Sequence, residues 1–391
     1  MSLSPLPLSY CTNVHPGRSV AEVERGLDDY TVHVRERFGA PLAAGLWLAR
    51  PVADELGSSR DLLRRFADGL RRRGLTCHTL NAFPYGDFHS ERVKENVYLP
   101  DWSQPQRKAY TERCAALLAE LLPEGVNEGS ISTVPLGFKG FTHSPEFFDR
   151  CVAQLIDVAL SLDALREQTG KTIRLGIEPE PLCLLETTDE TIAFFRRLFA
   201  AADQAGWGDA VRTHVGVCYD VCHQAVEFED AVGAVAAIDA AEVRINKIHI
   251  SCALQIDRPA ANEEGRMALR RFVEPRYLHQ TTALTATGEV LRAVDLDELL
   301  ITSPPSGFNE ARAWRVHFHV PVDAERIGPL ATTRPALREA LTAVARLSYA
   351  PHLEVETYTW DVMPGRQQLD LVEALTREMV AARSIIAQTK G

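Results

Sequence analysis

No Cys-x-x-Cys pair occurs among the eight cysteines, which are scattered from Cys11 to Cys252, so neither a zinc ribbon nor a thioredoxin-type motif is available. In a chain of 391 residues such thiols read as reduced, mostly buried side chains of a cytosolic protein. No apolar run approaches 18 residues, which excludes a membrane-spanning helix and makes a membrane an unexpected partner. Met1 to Pro7 carry neither a basic n-region nor a proper apolar h-region, so no secretory leader is expected and the location is read as cytoplasmic. Internal repeats at fixed period and low-complexity tracts are also missing. Positive charge is in deficit: 42 Lys+Arg against 53 Asp+Glu leave −11 at pH 7. A surface of that sign repels phosphate backbones and argues against nucleic acid as a partner.

What is present is an ordinary globular composition, 46% hydrophobic and 24% charged, in a chain long enough to bury a large core without staples. Strand-like and helical patterns alternate. Apolar runs at 8–15, 42–49, 75–84, 130–136, 173–179, 215–220 and 245–251 are followed by helical stretches, among them 20–38, 58–73, 104–122, 145–168, 188–204 and 229–240. Such alternation means parallel strands with helical crossovers. A last pair, 353–359 and 369–386, supplies an eighth unit and closes a (β/α)8 TIM barrel, an α/β fold that takes residues 1–391 as one domain. Residues 255–313 break the rhythm with Pro304-Pro305 and Gly307, and read as an insertion at the C-terminal mouth, either a lid or an oligomer contact. The run 315–322 fits either a barrel strand or an extra strand near the mouth.

Strand alternation then sorts the side chains. Ile173, Leu175 and Ile177 oppose Arg174, Gly176 and Glu178; Val217 and Tyr219 oppose Cys218 and Asp220; Ile248 and Ile250 oppose Lys247, His249 and Ser251; Val355 opposes Glu354 and Glu356. The bulkier apolar residues share the parity that packs on helices, so the strand ends aim Glu178, Asp220, His249 and Glu356 into one pocket. Several unpaired carboxylates in a single cavity repel one another and resist desolvation. A divalent cation removes both penalties, and this oxygen-rich set with one imidazole suits Mn²⁺, Mg²⁺, Co²⁺ or Zn²⁺. The plainer alternative pairs each carboxylate with a buried Lys or Arg.

The segments Ile177-Glu178-Pro179, Tyr219-Asp220-Val221-Cys222-His223, Lys247-Ile248-His249-Ile250 and Val355-Glu356-Thr357 resemble, in order and spacing, those of the xylose isomerase-like TIM barrel superfamily, with Asp220–His223 matching its Asp-x-x-His signature. Within it the chain looks most like the EboE-type "metabolite traffic" proteins, on the 81–86 loop Asn-Ala-Phe-Pro-Tyr-Gly, the 247–251 strand and His317-Phe318-His319-Val320-Pro321. The resemblance implies Glu178, Asp220, His249 and Glu356 as metal ligands, with Glu178 and Glu356 as the proton-transferring pair of an isomerase or epimerase. The substrate would be a small polyhydroxylated carbonyl metabolite, in secondary-metabolite biosynthesis or export. His223 would face the substrate or a second metal ion. Self-association is left open, as is a non-catalytic barrel that binds and carries a metabolite. A phosphodiesterase of the endonuclease IV sort would want extra histidines from early strands and a basic groove, and both are sparse here.

Two departures keep ligand choices open: Glu180 follows Glu178, and Glu354 doubles Glu356. His317 and His319 compete with His249 as histidine ligands. Further substrate-binding candidates are Glu180, Lys247, His319, Asn81, Tyr85 and His15, with Asn13 and His89 beside them at strand ends. For Lys247 half of an internal ion pair is the favoured reading over a Schiff base, and for His15 a plain loop histidine is favoured over ligand contact. The 137–140 run Gly-Phe-Lys-Gly offers a weak phosphate loop, and the rings of Trp47, Phe83 and Trp360 offer stacking surfaces.

Overall fold

The computed structural model describes residues 3–389, so Met1 and Ser2 of the segment read for a leader lie outside the described residues. Eight parallel strands close into a barrel: Ser9–Cys11, Ala43–Trp47, Thr79–Asn81, Glu128–Thr133, Thr172–Ile177, Val215–Asp220, Ile245–Ile250 and His352–Val355. These are strands one to eight below, and strand eight pairs with both strand seven and strand one. The expected (β/α)8 barrel is thus the observed one. Glycine closes the long crossovers: Gly170 ends Phe147–Thr169 and Gly206 ends Thr188–Ala205, each in the left-handed conformation that glycine adopts without a Cβ penalty.

Three details differ from the pattern reading. The second crossover is two helices, Arg50–Gly57 and Arg60–Arg72, the first masked by the Arg50-Pro51 start that a helix tolerates in its first turn. The crossover after strand one, Val20 to Phe38, contains a π-turn at Leu27–Thr31. The stretch after strand seven is a second, six-stranded sheet that begins at Leu254–Asp257 and ends at Leu330–Thr332, extending past the expected 255–313. Ala313–Val316 belongs to that sheet and pairs with Leu254–Asp257 and Thr281–Leu284, so it is the extra strand. The chain then crosses the barrel mouth through 317–321 and re-enters the ring by helix Arg334–Val344.

All eight cysteines are buried and none is disulfide-bonded, in keeping with a core built from apolar area alone. No helix among the described residues is long and apolar enough to cross a membrane.

Candidate active site

The inward parity places ionisable groups in two layers. In the lower layer Lys247 Nζ lies 2.7 Å from Glu354 Oε1, with both side chains 0% exposed. Lys247 also donates to the Leu80 carbonyl, and Glu354 accepts from Ser9 Oγ at 3.0 Å. Glu354 is therefore held well down, at about 2: burial, the largest single influence, opposes its charge, but Lys247 and His249 together outweigh it. This pair is the interior ion bridge, so Lys247 is not among the residues lining the cavity and Glu354 is directed away from it.

The upper layer opens on the cavity. His249 Nδ1 sits 3.0 Å from Glu178 Oε1, 3.2 Å from Glu356 Oε2 and 3.5 Å from Asp220 Oδ2, all four groups buried. One N–H satisfies one of these oxygens. Three near-equal approaches instead match neighbouring ligands on a single ion, about 3 Å apart when each bond is about 2.1 Å. Glu178 Oε2 and Asp220 Oδ2 have no hydrogen-bond partner although buried, which a cation would remedy. The four donors lie within 4.8 Å of one another. Below, His249 Nε2 lies 3.4 Å from Glu354 Oε1, the carboxylate that steadies the ring.

The remaining oxygens are directed by hydrogen bonds. Glu356 Oε1 accepts from Asn13 Nδ2 at 2.9 Å and Asn81 Nδ2 at 2.8 Å; Asp220 Oδ1 accepts from Ser251 Oγ at 2.8 Å and the His223 amide at 2.9 Å. Burial pushes Glu178 up to about 7 against the pull of His249. For Glu356 and Asp220 burial acts the same way but loses: His249 holds Glu356 down, and the facing His223, His319 and His249 hold Asp220 well below the carboxylate range. His249 is disfavoured as a cation by burial, yet Cys218, Glu178 and Glu356 raise it well above its ordinary value.

Beside this centre His223, His317 and His319 pack ring against ring, the Nε2 atoms of His223 and His319 being 3.4 Å apart. His319 Nδ1 is 2.9 Å from the Glu356 carbonyl, which turns its ring toward Asp220. His317 Nδ1 donates to Gln280 Oε1 at 2.7 Å, and Glu180 Oε1 accepts from Tyr98 at 2.7 Å. Burial pushes Glu180 well up.

Asn13, Asn81, Lys94, Glu178, Glu180, His223, His317 and Glu356 form the polar part of the cavity above. Of the substrate-binding candidates, Lys247, His319, His15 and Tyr85 are not among the lining residues: Lys247 is in the ion pair below and His319 in the histidine group beside Asp220. His15 is buried behind strand one, stacked on Tyr30 at 4.4 Å and facing the Tyr10 hydroxyl at 3.0 Å, because the helix after strand one covers it. Tyr85 lies outside the barrel, where it accepts from Arg50. Trp47 and Trp360 are core rings that donate to the Pro84 carbonyl and to Glu378. The residues missed from sequence are Tyr98, Tyr277, Gln280 and Tyr358. Position on a loop at the C-terminal face was the sole signal for each, and it did not separate them from their neighbours.

No family model matches the chain, and no curated protein does either. Among solved structures it is similar to a xylose isomerase-like TIM barrel protein from Mycobacterium smegmatis in complex with magnesium, with TM-score 0.54, 14% identity, and coverage of 99% of this chain and 100% of that one. A D-tagatose 3-epimerase-like protein aligns with TM-score 0.51 and 10% identity over 99% of this chain and 100% of the other. The IOLI protein with a bound zinc atom aligns with TM-score 0.50 and 12% identity over 98% and 99%. The chain therefore shares the TIM-barrel fold of these structures.

Proposed function

We propose that this protein is a metal-dependent isomerase or epimerase acting on a small polyhydroxylated carbonyl compound. The observation that carries the reading is the convergence of Glu178, Asp220, His249 and Glu356 on one point at the cavity floor, where two of them also face the cavity. These four residues would hold one divalent ion, which when bound polarises a substrate oxygen and offsets the negative charge that develops beside it. Glu178 and Glu356 approach from strands five and eight, and each presents a carboxylate for taking or returning a proton at carbon. Burial raises the proton affinity of Glu178, which favours it as the group that takes a proton from carbon. Asn13 and Asn81 fix the direction of Glu356, while His223 and Glu180 are placed to orient substrate hydroxyls. The magnesium- and zinc-bound structures and the epimerase-like protein of the same fold support this assignment. We read the reaction as part of secondary-metabolite biosynthesis or export in the cytoplasm, on the resemblance of the 81–86 loop, the 247–251 strand and the 317–321 run to metabolite traffic proteins.

The histidine group beside Asp220 is a feature that an endonuclease IV-type phosphodiesterase would share. The chain's net charge of −11 and a cavity whose one lysine is fully paired weigh against a phosphodiester substrate.

The test is metal analysis of the purified protein together with solvent-deuterium incorporation at carbon in candidate ketoses. One divalent ion per chain and exchange that disappears in Glu178→Gln and Asp220→Asn are expected. Full metal occupancy in both variants would remove the site, and tight metal without exchange on any ketose would leave a binding protein.

A further inference from the structure

The cavity has two chemically distinct halves. Its floor carries Asn13, Asn81 and the two proton-transfer carboxylates, whereas the wall above is Phe83, Phe88, Val97, Tyr277, Leu278 and Tyr358. Three of these rings form a preassembled group: Phe88 to Tyr277 is 4.9 Å, Phe88 to Tyr358 is 5.2 Å and Tyr277 to Tyr358 is 5.0 Å between centroids. They come from the loop after strand three, the inserted sheet region and the end of strand eight. The Tyr277 hydroxyl donates to the Phe88 carbonyl at 3.1 Å, so this residue offers its ring rather than its hydroxyl to a ligand.

Cationic groups are spent. Lys94 is the one lysine or arginine in the lining, and its Nζ is held by the carbonyls of Glu274 at 3.0 Å and Tyr277 at 2.6 Å and by Asp295 at 2.6 Å. Lys139, in the glycine-flanked loop after strand four, is paired with Glu186 and with Glu190 at 2.7 Å. A phosphate dianion would enter a carboxylate-rich floor with no free ammonium, guanidinium or built cradle among the described residues. A bare sugar fits poorly for another reason. Glu180, His223 and the Tyr358 hydroxyl could serve part of its ring, but hydroxyls set against Phe83, Phe88, Val97 and Leu278 would find no partner, and each unpaired buried hydroxyl costs affinity.

We infer that this site takes neutral α-hydroxycarbonyl compounds bearing an apolar, ring-sized substituent, the polar head on the Glu178–Glu356 floor and the substituent against the Phe88–Tyr277–Tyr358 wall. The inference rests on the isomerase or epimerase reading for the head and on the wall for the tail. The fixed rings gain contact area without the ordering cost of mobile side chains.

A matched series tests it on the manganese-loaded protein: dihydroxyacetone, its mono-benzyl ether and its monophosphate share one head and differ in the substituent. Titration calorimetry is expected to give the benzyl ether a dissociation constant roughly tenfold or more below that of dihydroxyacetone, from burial of the phenyl group. The phosphate is expected to bind no better than dihydroxyacetone. Equal affinities across the series, or tightest binding of the phosphate, overturn the inference. Deuterium incorporation into the same three compounds reports on the chemistry separately. Preference for the benzyl ether without exchange on any ligand removes the catalytic reading and keeps the pocket assignment; exchange without preference does the reverse.

Discussion

Buried charges account for most of what single side chains do here. Lys247 and Glu354 neutralise each other beneath the candidate metal centre, and Glu354 in turn steadies His249. Removing one partner strands the other in a place water does not reach. Lys247→Met is therefore expected to cost about 3–5 kcal/mol in urea unfolding, with Lys247→Met/Glu354→Leu recovering part of it. A cost below 1 kcal/mol would contradict the pairing. Glu378 shows a different balance. It accepts from Thr357, Trp360 and the Val322 amide, yet burial, its largest influence, lifts it to about 7 from an ordinary 4.5. The folded chain thus keeps a proton that the unfolded chain has released across that interval. The stabilisation is complete below the unfolded value and is lost as pH rises through the folded one. Unfolding free energy should fall by about 3 kcal/mol between pH 4.5 and pH 8 on this account, a slope that Glu378→Gln removes. Parallel pH profiles of the two proteins would refute it.

Strands and crossovers show how local rules place these groups. Period-two alternation within each strand was enough to put Glu178, Asp220, His249 and Glu356 on one parity, although strands six and seven shift register beside Val217 and Cys218. What alternation does not show is depth along the strand. Glu354 and Glu356 share a parity, and one pleat repeat separates an interior ion pair from a cavity-facing carboxylate. The same holds for Lys247 below His249. Room for the lower layer comes from Gly45 on strand two, where an added Cβ would fall 1.4 Å from Glu354 Oε2. The crossover after strand five begins with a capping box, Thr187 and Glu190 exchanging backbone hydrogen bonds. Thr187→Ala is expected to lower stability by about 1 kcal/mol, read from the urea midpoint at unchanged slope. His15 and Tyr85 were misplaced from sequence because a strand-end position says nothing of which way a loop side chain turns. The helix after strand one captures the former, and Arg50 the latter.

For the molecule taken together, the added sheet is what turns a barrel mouth into a walled cavity. Arg292 binds Glu186 and Glu227 and so ties the sheet to the loops after strands five and six, while Lys94 reaches Asp295 from the loop after strand three. Arg292→Ala leaves two buried carboxylates without their shared cation. Hydrogen–deuterium exchange should then rise across 254–332 by more than it does in the barrel strands, and equal protection in both proteins would show that the clamp is dispensable. Residue order alone specified the ring of strands, the inward parity and the four converging side chains, because pleat, helix period and strand count are local properties that repeat along the chain. The cavity wall, the depth ordering of the paired glutamates and the histidine group against Asp220 arise from contacts between segments far apart in sequence, such as Tyr98 with Gln280 and His223 with His319. Those contacts depend on how the inserted sheet settles over the barrel, a packing relation that no periodicity encodes.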